Sequence, residues 1–166
     1  FGKALSEIAR LAKADVGLEV AFTELGNWDH HVNEGAVTGQ IATRLDEFSR
    51  GLAALAADLG DRLADTVIVT MSEFGRAVAE NGNAGTDHGH GNAMMVMGGS
   101  VRGGVHGTWP GLADGHRFEG RDLAITSDFR DVFSEIVAAH MGVSRDSLSR
   151  IFPGYHAGST PGVIRA

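Results

Sequence analysis

The sequence has no cysteine, only three prolines and no long apolar run. Without cysteine there is no disulfide scaffold, no thiolate zinc finger and no thiol nucleophile. The absence does not select a compartment, because exported proteins can also lack disulfides. No stretch approaches the roughly 20 apolar residues of a membrane-spanning helix. Positive charge is also scarce: 14 Lys and Arg against 21 Asp and Glu give a net charge of −7. That balance argues against a nucleic-acid groove. Low hydrophobicity with high charge, the signature of disorder, is missing too, since hydrophobic residues make up 43% and charged ones 21%. The length of 166 residues fits one domain, or part of a larger one, with chain enough to bury a core. What the sequence does hold is glycine, 24 residues, and histidine, eight residues, five of them between His30 and His106.

Apolar spacing predicts a helix over Ala4–Ala14, with Leu5, Ile8 and Leu11 on one face. Leu18–Thr23 alternates apolar and polar residues and predicts a strand. A polar loop follows from Gly26 to Gly35. Ile41, Leu45, Phe48, Leu52, Leu55, Leu59 and Leu63 form one apolar stripe and predict a long helix over Thr38–Leu63. The uncharged, β-branched run Thr66–Met71 predicts a strand buried on both faces, which favours a parallel sheet. Strand, helix and strand then form a βαβ unit. Ala93–Met97 predicts a third strand, and Asp128–Met141 a helix with Ser127 as its N-cap. A short turn over Leu148–Phe152 and a polar tail end the chain. There are no repeats and no internal linker. The chain opens on Phe1 with no visible leader, and its sheet is thin for a free-standing α/β domain. The expectation is therefore a trimmed chain or fragment, or a sheet completed by a partner such as a second copy in a homodimer.

Three loops carry residues able to do chemistry. In Asp29-His30-His31, just past a predicted strand end, extended backbone turns Asp29 and His31 to one side and His30 to the other. Aspartate oxygen and imidazole nitrogen suit zinc, manganese or iron. The bland alternative is a polar loop whose Asp caps a turn. In Thr86–Asn92, Asp87, His88 and His90 lie between glycines that let backbone approach a ligand. There the alternative is a solvated loop. His106, in Gly104–Gly107, is either a metal or anion contact or a structural histidine. Glu73 and Arg76 follow the Thr66–Met71 strand. Glu73 is read as supporting a metal-ligand histidine or pairing with Arg76, and Arg76 as an oxyanion contact. Ser72 lacks the G-x-S-x-G setting of a hydrolase nucleophile. Trp28 and Trp109 are read as packing residues.

In order along the chain stand Asn-Trp-Asp-His-His (27–31), Met-Ser-Glu-Phe-Gly-Arg (71–76), Gly-Thr-Asp-His-Gly (85–89), Trp-Pro-Gly (109–111), Ser-Asp-Phe-Arg (127–130) and Phe-Pro-Gly (152–154). This series resembles the C-terminal part of the domain-of-unknown-function 1501 (DUF1501) family, which in turn resembles the alkaline phosphatase and sulfatase superfamily. The resemblance implies an α/β, alkaline-phosphatase-like layered fold, a mostly parallel sheet with flanking helices, present as an incomplete C-terminal portion. It implies Asp87 and His88 as a metal-ligating pair, Asp29 and His31 as an earlier pair and His106 as a later ligand. His90 is a further ligand candidate from its loop. The earlier pair is spaced more closely than the superfamily's, and an insertion separates Met71 from Asp87. No segment matches the superfamily's nucleophile. Family members commonly look bacterial and exported, often with a twin-arginine leader, so a periplasmic or exported protein is implied.

The function expected is a metal-dependent hydrolase-like domain acting on small phosphate or sulfate esters, with zinc or manganese as the divalent ion. Such ions polarise the ester and stabilise the leaving oxygen. The alternative is a non-catalytic binding or assembly domain of the same fold, with a structural metal or none. A third option is metal storage or transport. No nucleic-acid partner and no membrane span are expected.

Overall fold

The computed structural model describes residues 1–156, 158 and 160–165. They divide into two units, Phe1–Leu63 with Ala79–Asp87, and Ala64–Val78 with His88–Ala166. The chain therefore contributes to the first unit twice. Among the described residues, no helix is long and apolar enough to cross a membrane.

The first unit is built on helices α1 (Gly2–Lys13) and α2 (Gln40–Leu59). Both form where the apolar spacing predicts, and they bury Leu5 and Ala9 from one and Leu55 and Leu59 from the other. Phe1 stacks on Phe48 with ring centroids 6.1 Å apart, and Lys13 pairs with Asp58 at 2.5 Å. Early residues meet early and late meet late, so the two helices run in the same direction. Gly51 makes the approach close, since a Cβ there would lie 2.5 Å from Cε1 of Phe1. Parallel neighbours need a return path, and residues 14–39 supply it. The long helix stops earlier than its stripe suggests. Gly60 takes φ 54 and a 3-10 turn, Gly60–Asp65, follows.

The strand expected over Leu18–Thr23 does not form among the described residues. Its alternation is present, but Val20 and Phe22 are 69% and 87% exposed. A ladder needs a neighbour's N–H and C=O groups, and periodicity alone does not provide one.

The second unit holds β1 (Val67–Val69), β2 (Gly75–Arg76), β3 (His88–Gly89), β4 (Val96–Gly98), α3 (Phe129–His140) and α4 (Arg145–Ile151). The strand β1 pairs antiparallel with β4, Val67 opposite Gly98 and Val69 opposite Val96. The short β2 and β3 also pair antiparallel, Arg76 opposite His88. The mostly parallel sheet expected from the uncharged run is therefore not what β1 forms. Its residues are only half-buried, and its partner arrives from a loop-and-hairpin excursion over residues 70–95 rather than a helical crossover. The architecture is mixed α/β with small antiparallel sheets.

Ile136 of α3, Val163 and Ile164 are buried together, with Val67, Val69, Val96, Val101 and Val132 packed on them. The carboxylate of Glu135 accepts from the amides of Gly162 and Ile164 at 2.7 and 2.8 Å, which ties the tail segment to α3. Asp128, not Ser127, caps α3. It accepts from the Arg130 amide at 2.8 Å and pairs with the Arg130 guanidinium at 2.6 Å. This ion pair holds the Asp128 carboxyl below the usual carboxylate range. The turn expected at Leu148–Phe152 is largely helical, within α4.

Candidate functional site

In the first unit, two loops are stitched together by backbone. The amides of Asn33 and Glu34 donate to the carbonyls of Asn83 and Ala84 at 3.0 and 2.9 Å, and the Thr86 amide donates to the His30 carbonyl at 3.1 Å. Gly85 allows this approach, because a Cβ there would lie 2.3 Å from the His31 carbonyl carbon. Side chains add to the seam. Thr86 Oγ1 donates to Glu34 at 2.7 Å. Asn81 gives its amide protons to the His31 carbonyl and to Asp87 Oδ1, both at 3.1 Å, and accepts from the amides of Asn83 and Gly85 at 2.9 and 3.2 Å.

The result centres on one imidazole. His31 Nε2 lies 3.1 Å from Asp29 Oδ1, and His31 Nδ1 lies 3.2 Å from Asp87 Oδ1. Asp29 and His31 meet across two residues of loop, and Asp87 reaches the same ring from 56 residues away. All three side chains keep access to solvent, at 71%, 40% and 59% for Asp29, His31 and Asp87. Two donor atoms held by one ion at roughly 2.1 Å stand about 3.0–3.4 Å apart. Either carboxylate–imidazole edge therefore fits half of a coordination shell. An imidazole binds one ion through one nitrogen, so the other carboxylate would take the ring's remaining N–H and fix its orientation. The donor set of carboxylate oxygen and imidazole nitrogen suits zinc or manganese.

His30 points to a different environment. It is 4% exposed and its Nδ1 has no hydrogen-bond partner among the described residues. Leaving a buried polar atom unpaired costs about 1–3 kcal/mol. Its ring meets Trp28 edge-on at 6.5 Å, and Trp28 in turn meets Phe48 at 5.9 Å. Trp28 is thus a packing residue, anchored through Nε1 to the Leu25 carbonyl at 2.6 Å. Trp109 is 68% exposed.

The remaining candidates lie in the second unit. His88, on β3, stacks on Phe74 with centroids 3.8 Å apart. Arg76, opposite it on β2, places its guanidinium 5.7 Å from the Phe74 ring. Glu73 is exposed. His90 Nδ1 meets Asp122 Oδ2 at 2.9 Å, and the His90 ring lies 4.1 Å from that of Phe118. Asp122 is fully buried and also pairs with the Arg121 guanidinium at 2.9 Å. Arg121, then His90, hold its carboxyl below the usual range, against the opposing effect of burial. His106 turns both ring nitrogens to backbone carbonyls, Nδ1 to Pro161 at 3.2 Å and Nε2 to Arg102 at 2.9 Å.

Three residues of consequence were not singled out by sequence: Asn81, Asp122 and the buried His30. Asn81 and Asp122 act on partners distant in the chain, and nothing in their local composition announces it. His30 carried a signal, since the alternation that puts Asp29 and His31 on one side turns His30 inward.

These features define a class of mixed α/β protein whose histidines and carboxylates gather in glycine-bearing loops. The chain belongs to the DUF1501 family, described as a protein of unknown function, whose model matches residues 6–148. No curated protein and no solved structure matches the chain.

Proposed function

We propose that this chain carries a divalent-metal site of a hydrolase-like domain, of alkaline phosphatase or sulfatase type, acting on small phosphate or sulfate esters. The observation that carries the reading is the His31 ring held between the carboxylates of Asp29 and Asp87. Asp29 and His31 Nε2 would be the ligands, and Asp87 would accept the Nδ1 proton of His31 and orient the ring. The ion, when bound, would act as a Lewis acid on the ester oxygen. Asn81 would hold Asp87 in place through its bond to Oδ1. Export of the protein belongs to the same proposal and rests on the ordered sequence motifs.

A second reading, a non-catalytic domain with a structural ion, is supported by the backbone and Asn81 bonds that already organise the loops. Elemental analysis by mass spectrometry tests both, on untagged chain loaded with zinc or manganese and then dialysed. The proposal expects bound metal that is lost in Asp29→Ala and His31→Ala with the fold intact. It expects about a 10–100-fold weaker affinity in Asp87→Ala, the usual effect of losing an orienting partner. Unfolding of these variants on metal loss favours the structural ion. No metal uptake by the wild-type chain overturns both.

A further inference from the structure

A cavity of 690 Å³ opens in the first unit at the start of α2. Gly39, Gln40, Thr43 and Arg44 line it from the helix, and Asp29 and His30 line it from the loop. No side chain caps this 20-residue helix, and no acidic residue sits in its first turn. Its N-terminus carries the positive end of the backbone dipole, and within the first turn the Ile41 and Thr43 amides already donate to the carbonyls of Glu34 and Gly39 at 3.0 and 3.1 Å. The polar side chains beside it are already committed. Thr43 Oγ1 donates to the Gly39 carbonyl at 2.9 Å, and Gln40 donates to the carbonyls of Val32 and Asn33 at 3.0 and 2.9 Å. They shape the rim and leave the charge to others.

Two residues that line the cavity each hold a buried polar atom without a partner among the described residues, Nδ1 of His30 and Nε of Arg44. His30 is 4% exposed. The guanidinium of Arg44 is steadied by Glu47, one turn along, at 2.5 Å from Nη1. Buried polar atoms are nearly always satisfied, by protein, water or a bound ion. The Arg44 guanidinium, an N–H-bearing Nδ1 of His30 and the helix dipole all favour a guest that accepts hydrogen bonds and carries negative charge. Asp29 is the opposing charge on the wall, and its carboxylate faces His31 at 3.1 Å.

We infer that the cavity at the N-terminus of α2 binds an oxyanion group, the carboxylate or phosphate of a small ligand, between Arg44 and His30 at the positive end of the helix dipole. The site does not depend on the metal reading, and its test is run on metal-free chain. Isotope-labelled protein, treated with chelator and dialysed, is titrated with inorganic phosphate and separately with acetate, at fixed pH and ionic strength. The amide signals of Gly39–Thr43 and the ring signals of His30 are followed by NMR.

Saturable shifts at these positions are expected with at least one anion. Phosphate alone identifies a phosphate-bearing ligand, and acetate alone a carboxylate. Arg44→Gln should weaken binding at least tenfold, and Asp29→Asn should tighten it severalfold by removing the opposing charge. Absence of saturable shifts with both anions overturns the inference, as does wild-type affinity in Arg44→Gln. If Arg44→Gln loses its dispersed spectrum, Asp29→Asn decides, and unchanged affinity there overturns it equally.

Discussion

Replacing Gly85 by alanine adds one methyl group where two loops of the first unit touch. The new carbon would sit 2.3 Å from the His31 carbonyl carbon, 2.4 Å from its oxygen and 2.5 Å from the His30 oxygen. All three neighbours are backbone, so no rotamer change relieves the clash. Ordinary contact begins at 3.4 Å, and the segment carrying Gly85 must withdraw to reach it. Withdrawal stretches the Thr86 amide bond to the His30 carbonyl and the Asn81 bond to the His31 carbonyl, both now 3.1 Å. Overpacking costs about 1–3 kcal/mol, and each strained hydrogen bond adds about 1 kcal/mol. With overlap between these costs, a loss of about 3 kcal/mol is expected. At about 2–4 °C per kcal/mol for a chain of this size, Tm should fall by about 6–12 °C. Thermal unfolding followed by circular dichroism reads the first effect. Zinc uptake reads the second, since Asp87 rides on the displaced segment and should no longer meet His31. A Tm within about 2 °C of wild type, with zinc affinity unchanged, would refute the argument that this contact builds the site.

Leu55→Ala removes a side chain 6% exposed between α1 and α2, and urea unfolding should show a loss of about 2–5 kcal/mol. Asp128→Ala removes the cap of α3 and should cost about 1 kcal/mol by the same assay; no change would mean that water replaces the cap. Asp122 is held below the usual carboxylate range by Arg121 and His90, so the folded chain releases this proton more readily than the unfolded chain. The stability it contributes is full above the unfolded value of about 3.9 and drains away as pH falls toward the folded value. Asp122→Asn should flatten that part of the acid-stability curve, and an unchanged curve would show that the pairing contributes nothing.

Helical order was the most legible part of the sequence. Leu5, Leu55 and Leu59 are buried where a 3.6-residue period puts them, whereas Leu11 and Leu45 of the same stripes are 44% and 49% exposed. Strand order was less so, because a strand exists only with a partner. Val20 and Phe22 have the right alternation and still face solvent, whereas Val67–Val69 found a partner in Val96–Gly98. Direction was illegible for the same reason: an uncharged run fits either pairing, and the connection decides. Within the candidate site, the local step was readable, since Asp29 and His31 alternate onto one side of the loop. The meeting of His31 with Asp87, and of His90 with Asp122, spans 56 and 32 residues. Residue types on such a scale indicate that ligands exist but not which of them share a ring.

The first unit takes its last piece, Ala79–Asp87, from beyond the start of the second. During synthesis, both helices can associate while that piece is still unmade, so the seam around His31 is a late event. Closing a loop of this length carries an entropic cost that grows only slowly with length, and the intervening chain holds the effective concentration of the two sides high. A protease cut between Ala64 and Val78 would remove that tether. The α1–α2 pairing would survive it unchanged, but the encounter of His31 with Asp87 would come to depend on how much protein is in the tube.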